Sequence, residues 1–302
     1  MSTRPDDPHR LASAPIVVGT DGSEGAERAV RWAAEIAARR GRRLLIAHGL
    51  DIAASQALIA ASGIVAPVGQ ITGARAERVL DSARRLALLA APGIEIETET
   101  SDLSPGKLLV ELSESANLVV LGGTGRAGTL AHLGSTVLAV TSRGHGDIVV
   151  IRAAPGQEPR TSGPVVVGVD GGPVSSAAVA TAFAAAAERG TDLVAVHCWS
   201  EWHYGEILDE ARAAALQKTL EAEEDAVLAE RLAGWSEKYP DVQLTRDVSV
   251  SGPTDRLLHW STSAQLVVVG SRGRGGFRGL LLGSTSSFLV QRAECPVLVA
   301  HP

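Results

Sequence analysis

The chain has 302 residues, 45% of them hydrophobic and 21% charged, with 3% aromatics and a formal net charge of −6. Such a length implies two domains, with a core of Ala, Val, Leu and Ile that favours close packing of helices on a sheet. The acidic balance excludes the broad positive field of nonspecific nucleic-acid binding. No apolar run approaches the roughly 18 residues of a membrane span, and Cys198 and Cys295 form no CxxC pair that would suggest a disulfide framework or zinc site.

Residues 1–14 carry charges and two prolines but no apolar stretch, so they are expected to form a disordered tail and not a signal peptide. With the two cysteines read as buried small hydrophobes, this points to a cytoplasmic protein. Ile16 to Gly19 is a short unbroken apolar run, as a strand covered on both faces requires. Ala26, Ala29, Val30, Ala33, Ile36 and Ala37 then recur at helical spacing, and Gly41 stops that helix after a basic last turn. Arg43 to His48 reads as the next strand, and Ala74 to Ala91 as a second helix. Ile94, Ile96 and Thr98 alternate with glutamates, which predicts a strand with one solvated face. Pro105 opens a third helix, Leu118 to Leu121 is a fourth strand, Ser135 starts a fourth helix and Ile148 to Ile151 is a fifth strand.

The second half repeats the first. Pro15-Ile-Val-Val-Gly19-Thr-Asp21-Gly answers Pro164-Val-Val-Val-Gly168-Val-Asp170-Gly, 149 residues apart, and Gly134-Ser135-Thr136 answers Gly283-Ser284-Thr285 at the same offset. A repeat this long is a duplicated domain, because solenoid units have much shorter periods. The expected division is domain 1 over 15–152, a Pro/Gly-rich linker over 153–163 and domain 2 over 164–302. Strands separated by helices need crossover connections, so each half is an α/β, doubly wound, mostly parallel sheet. The apolar last strands, Ile148 to Ile151 and Val297 to Ala300, are expected at sheet edges that another strand must cover.

Ligands of such sheets sit beyond the carboxyl ends of the strands. After the fourth strand of the second half comes Gly270-Ser-Arg272-Gly273-Arg274, followed by Gly283-Ser284-Thr285, a G-x2-G-x9-G-S pattern that leads into a helix. Glycines let backbone N–H groups approach an anion, a helix N-terminus favours negative charge, and Arg272 and Arg274 can add charge-assisted bonds. The bland alternative is a surface loop closed by an ordinary Ser cap. The first half keeps Gly122, Gly125, Arg126, Gly134, Ser135 and Thr136, but its loop is one residue shorter and has Thr124 where the second has Arg272. Arginine count therefore predicts that the second half prefers the more highly charged of two anionic ligands more strongly than the first does.

These motifs, with Cys295-Pro-Val-Leu-Val at the end, resemble the universal stress protein family in its tandem ATP-binding form, over nearly all of residues 15 to 302. The resemblance implies the adenine nucleotide α-hydrolase-like fold. It also implies that Gly168 and Asp170 lie near base and ribose, that Val196 lies beside the adenine, and that Gly270, Gly273, Gly283, Ser284 and Thr285 cradle the phosphates. Gly19, Asp21 and Ala47 would be the first-half counterparts. The implied cofactor is ATP, with or without Mg2+, and there is no metal site of the protein's own. The implied partners are an adenine nucleotide, an unidentified protein and a second copy in a homodimer.

Other residues read more blandly. Asp21 and Asp170 precede glycines and could simply make turns. His48 and His197 end strands without ligand-spaced neighbours, so polar strand ends are expected and not metal ligands. Gly123 to Gly128 matches a dinucleotide fingerprint but follows the wrong strand. The charge run Glu221, Glu223, Glu224, Asp225 reads as the solvated face of a helix over Glu210 to Lys238. Trp199, Trp202 and Tyr204 could cover either a base or the sheet. Three functions compete: a regulatory nucleotide-binding protein, a slow ATPase or adenylate-transferring enzyme, and an interaction module without ligand. Against the second, the S-G-G-x-D-S expected of an adenylating relative is missing, as is G-x4-G-K-[ST].

Overall fold

The computed structural model describes residues 13–62, 68–123, 134–154, 156–199, 210–273 and 282–302. The expected tail lies mostly outside them, as do Gly125, Arg126, Arg274, Trp202 and Tyr204. The chain divides into two compact units, residues 1–152 and 153–302.

Unit 1 runs β1 (Ile16–Gly19), α1 (Glu24–Arg40), β2 (Leu44–Gly49), α2 (Ile52–Ser62), α3 (Val68–Ala90), β3 (Ile96–Ser101), α4 (Pro105–Ser113), β4 (Leu118–Gly122), α5 (Ser135–Arg143) and β5 (Asp147–Ile151). Its strands are parallel, in the order β3-β2-β1-β4-β5. Ile16 stands level with Leu44 on one side and Leu118 on the other. Unit 2 runs β6 (Val165–Gly168), α6 (Pro173–Arg189), β7 (Leu193–Trp199), α7 (Glu210–Lys238), β8 (Leu244–Val250), α8 (Pro253–Ser261), β9 (Leu266–Gly270), α9 (Ser284–Arg292) and β10 (Val297–Ala300). It repeats the parallel order as β8-β7-β6-β9-β10. Each half is thus an α/β unit with a doubly wound parallel sheet. The chain moves outward from the first strand, then returns to its other side, and this reversal opens a crevice at the carboxyl ends of β1 and β4 and of β6 and β9.

The apolar runs are strands because both faces are covered: Ile16, Val18, Ile46, Val119, Val120 and Val149 are fully buried. Helix α1 begins where the Ser23 hydroxyl accepts from the Ala26 amide, and ends at Gly41 in the left-handed region, φ 58°. Its buried stripe is Ala29, Val30, Ala33, Ala34 and Ala37, and it packs against α3, which buries Ala76, Ala83 and Ala87. Unit 2 departs from that alanine packing. Phe183 on α6 stacks with Trp235 of α7 and with Tyr239, centroids 6.0 and 5.8 Å away. A low aromatic content does not prevent three rings from sharing one cluster.

Three elements differ from the sequence expectation. Helix α2 was not anticipated, since its alanine-rich run has no one-sided apolar stripe. The next helix starts at Val68 and not at Ala74, because small residues at its start carry little periodic signal. β3 begins at Ile96, two residues late, and instead of one clean solvated face it leaves Glu97, Thr98 and Thr100 exposed with Ile96 half-buried, as suits the outermost strand of its unit.

Cys295 is fully buried, and loss of solvation pushes its thiol up to about 12. Cys198, in contrast, is half-buried, with its sulfur 3.7 Å from the Ser249 and Ser251 hydroxyls; of the two cysteines expected to be buried, only Cys295 is. Ellman's reagent should therefore modify the native protein at Cys198 and reach Cys295 only on unfolding. The unfolded chain releases the Cys295 proton near the ordinary thiol value, while the folded chain keeps it to about 12. Its contribution to stability is therefore complete below the ordinary value and declines as pH rises through that window. Rapid reaction of two thiols in the native state would contradict this.

Candidate functional site

The crevice of unit 2 is built from the ends of its first, second and fourth strands. The Val169 amide donates to the Val196 carbonyl at 2.8 Å, so the end of β6 is tied to the end of β7. Asp170 then turns the chain: its Oδ1 accepts from the Gly172 amide at 2.8 Å, and Gly171 follows at φ 78°. The turn reading of Asp170 is thus correct for one oxygen. The other faces the loop after β9, where a Cβ placed on Gly273 would stand 2.8 Å from Asp170 Oδ2. Gly273 itself lies outside the left-handed region, so its glycine character concerns space and not dihedral angles.

That loop folds back on the strand. The Ser271 amide donates to the Ala300 carbonyl and the Gly283 amide to the Ser271 carbonyl, both at 2.8 Å, and the Ser286 hydroxyl donates to the Gly270 carbonyl at 2.6 Å. A Cβ on Gly283 would lie 3.5 Å from Arg272 Cα. Helix α9 therefore starts beside Arg272, with Gly283 as its N-cap and no side chain capping it. An ordinary Ser cap is ruled out, because Ser284 is already the first helical residue. No side-chain oxygen caps the amides of the first turn, and at such a helix start the dipole and the uncapped donors favour an anion. Thr285 Oγ1 accepts from Thr254 Oγ1 at 3.5 Å. The buried Ser271 hydroxyl has no hydrogen-bond partner among the described residues, and neither does the buried indole N–H of Trp199 at the end of β7.

Unit 1 builds the same frame. The Thr20 amide donates to the Ala47 carbonyl at 3.0 Å, Asp21 Oδ1 accepts from the Ser23 amide at 2.9 Å, and Gly22 follows at φ 75°. Gly134 caps α5 without a side-chain bond, and Ser135 and Thr136 begin the helix. Gly19, Asp21, Ala47 and Gly122 gather at the strand ends.

Several glycines expected to serve a ligand have a packing reason. A Cβ on Gly122 would meet Gly25 C at 2.4 Å and Ala26 N at 2.7 Å, the backbone of α1. A Cβ on Gly19 would meet Leu109 at 2.6 Å, one on Gly168 would meet Leu257 at 2.9 Å, and one on Gly270 would meet Val174 at 2.8 Å. Such close approach of helix to sheet was not separable in sequence from close approach of a ligand.

One residue of the α7 charge run, Glu224, also joins the frame, while Glu223 is exposed and Asp225 pairs at the surface, as a solvated face implies. His197 is buried; its Nδ1 donates to the Val169 carbonyl at 2.6 Å, and its Nε2 stands 3.0 Å from Glu224 Oε2. Asp225 forms a two-pronged pair with Arg246 at 2.7 and 2.9 Å, and that hydrogen-bonded guanidinium holds the Asp225 carboxyl below its ordinary range. Farther along, the Arg231 guanidinium lies against Gly171. His48 of unit 1, half-buried, makes the matching bond from Nδ1 to the Thr20 carbonyl at 2.7 Å. Among the described residues no group of three or more His, Cys, Asp or Glu side chains is placed to hold a metal, and no helix is long and apolar enough to cross a membrane.

Comparison with known proteins covers nearly the whole chain. The model of the universal stress protein family matches twice, at residues 13–152 and 162–301. A universal stress protein of Mycolicibacterium smegmatis is 37% identical over 295 residues, covering 95% of this chain and 97% of that relative. Universal stress protein Rv2005c of Mycobacterium tuberculosis is 38% identical over 298 residues, covering 95% and 96%. The crystal structure of a universal stress protein from Archaeoglobus fulgidus shares the fold with a TM-score of 0.65 at 17% identity, covering 95% of this chain and 98% of that one. The chain belongs to the universal stress protein family and carries two tandem copies of its domain.

Proposed function

We propose that each unit binds an adenine nucleotide, ATP foremost, and that the protein acts as a cytoplasmic regulator whose conformation or partner binding follows occupancy. In this reading Asp170 and Val196 meet the nucleoside, Gly273, Gly283, Ser284 and Thr285 meet the phosphates, and Arg272 adds charge-assisted bonds. Asp21, Ala47, Gly134, Ser135 and Thr136 would do the same in unit 1, and any Mg2+ would arrive on the phosphates. A homodimer, to be read from light scattering, belongs to the same proposal. The observation that carries the reading is the meeting of the Asp170 carboxylate, Gly273 and the uncapped start of α9 at one strand-end crevice.

Thermal melting with and without ATP tests it. A ligand at a hundred times its Kd stabilises the native state by about 2.7 kcal/mol. For a unit of this size that is a rise of roughly 5–10 °C. The same purified protein, denatured and analysed by mass spectrometry, should release adenine nucleotide. An unchanged melting temperature at saturating ATP, with no nucleotide released, would instead identify an interaction module without ligand.

A further inference from the structure

We propose that Arg231, on α7, reads the negative charge of the ligand bound by unit 2, and that unit 1, with Val79 over the matching glycine, lacks this contact. The inference rests on the nucleotide reading above and goes beyond it by making the two units different in the charge they accept.

The geometry is local and specific. An ideal Cβ built on Gly171 would fall 1.4 Å from Arg231 Nη1 and 2.2 Å from its Cζ, so the guanidinium fills the space that the missing side chain leaves. Gly171 follows Asp170 directly, and Asp170 Oδ2 in turn lies against Gly273. Arg231, the turn, the carboxylate and the anion loop are therefore contiguous. In unit 1 the corresponding Cβ, on Gly22, would meet Val79 Cγ2 at 3.3 Å. The turn and its left-handed glycine are the same, but the side chain laid over the glycine is apolar in unit 1, where Arg75 and Arg78 line the adjoining cavity without covering it.

Charge explains why this matters. The Asp170 carboxylate stands where the reading puts phosphate-bearing ligand, and like charges at such range repel. A guanidinium laid over the next residue, Gly171, offsets part of that repulsion, and its planar fork can also bond phosphate oxygens directly. Among the described residues Arg231 makes no ion pair or hydrogen bond; it is exposed and held by packing against the turn. Glu224, seven residues earlier on α7, is occupied by His197, and Asp225 by Arg246. With no hydrogen bond to another described residue, the Arg231 guanidinium keeps its donors available to an incoming anion.

The test is calorimetry on the full chain with ATP and adenosine as probes, in a background where Gly134→Val blocks unit 1. Among the described residues a Cβ at Gly134 meets nothing within 4 Å, so the described part of the fold has room for that change. Arg231→Val, which copies unit 1, should weaken ATP by about tenfold and leave adenosine within about twofold, the scale of an exposed charge-assisted contact. Arg231→Lys should recover part of the loss, and added salt should narrow the difference between parent and variant. Conversely, Val79→Arg in a chain with unit 2 blocked by Gly273→Val should raise the ATP-to-adenosine ratio of unit 1. Equal losses for both probes would make Arg231 a structural prop and overturn the inference, as would no loss for either. In both cases ATP still binds the parent, so the nucleotide reading survives. If neither probe binds even the unaltered chain, that reading fails and takes this inference with it.

Discussion

Replacing Gly122 by valine should destabilise unit 1 by more than about 3 kcal/mol, seen as a drop of roughly 10 °C in melting temperature. The Cβ would stand 2.4 and 2.5 Å from the carbonyl carbon and oxygen of Gly25, and 2.7 Å from the Ala26 amide nitrogen. These are backbone atoms in the first turn of α1, so no rotamer change relieves the overlap. The helix would have to lift, taking with it the buried stripe of Ala29, Val30, Ala33 and Ala37. Gly270, the counterpart in unit 2, supplies a control. Its nearest neighbour is a Val174 methyl at 2.8 Å, with backbone oxygens at 3.2 and 3.4 Å, so Gly270→Val should cost distinctly less. Equal melting of Gly122→Val and wild type would show that this glycine is not where helix and sheet meet.

Gly273→Val should produce the opposite pattern: a folded protein with normal melting whose unit 2 loses ATP by at least about a hundredfold, near 2.8 kcal/mol. Gly273 is exposed, and among the described residues the one side chain its Cβ would meet is the far end of Asp170, which can swing aside. Folding is therefore spared. Binding is not, because in the proposed reading the Gly273 backbone touches phosphate and the displaced carboxylate leaves its turn. Titration in the Gly134→Val background isolates the effect. Unchanged ATP affinity there would remove Gly273 from the site, and a large loss of melting temperature would mean the residue serves the fold.

Much of this protein is legible in its residues alone. The unbroken runs Ile16–Gly19 and Val165–Gly168 can only be strands covered on both faces, and the helices between them force parallel crossovers. The matching of Asp21 with Asp170, and of Gly134-Ser135-Thr136 with Gly283-Ser284-Thr285, makes the duplication plain, and the motifs point to the universal stress protein family. All of this is pattern along the chain, at separations a reader can count.

What the residues could not show depends on distances across the chain. A glycine looks the same whether it admits a helix, as Gly122 does, or leaves room beside a carboxylate, as Gly273 does. Only the packed structure says which atom stands opposite. Likewise Glu224, Asp225 and Arg231 share a charged helix whose solvated appearance is a statement about averages. The folded sheet brings the first to His197, the second to Arg246 and the third to Gly171, because β7, β8 and the turn after β6 end within reach of α7. The aromatic cluster of unit 2 follows the same logic: Phe183 and Trp235 lie far apart in sequence and meet only once their helices pack against each other. Composition sets how many rings the chain has, and tertiary contact sets which of them share a core.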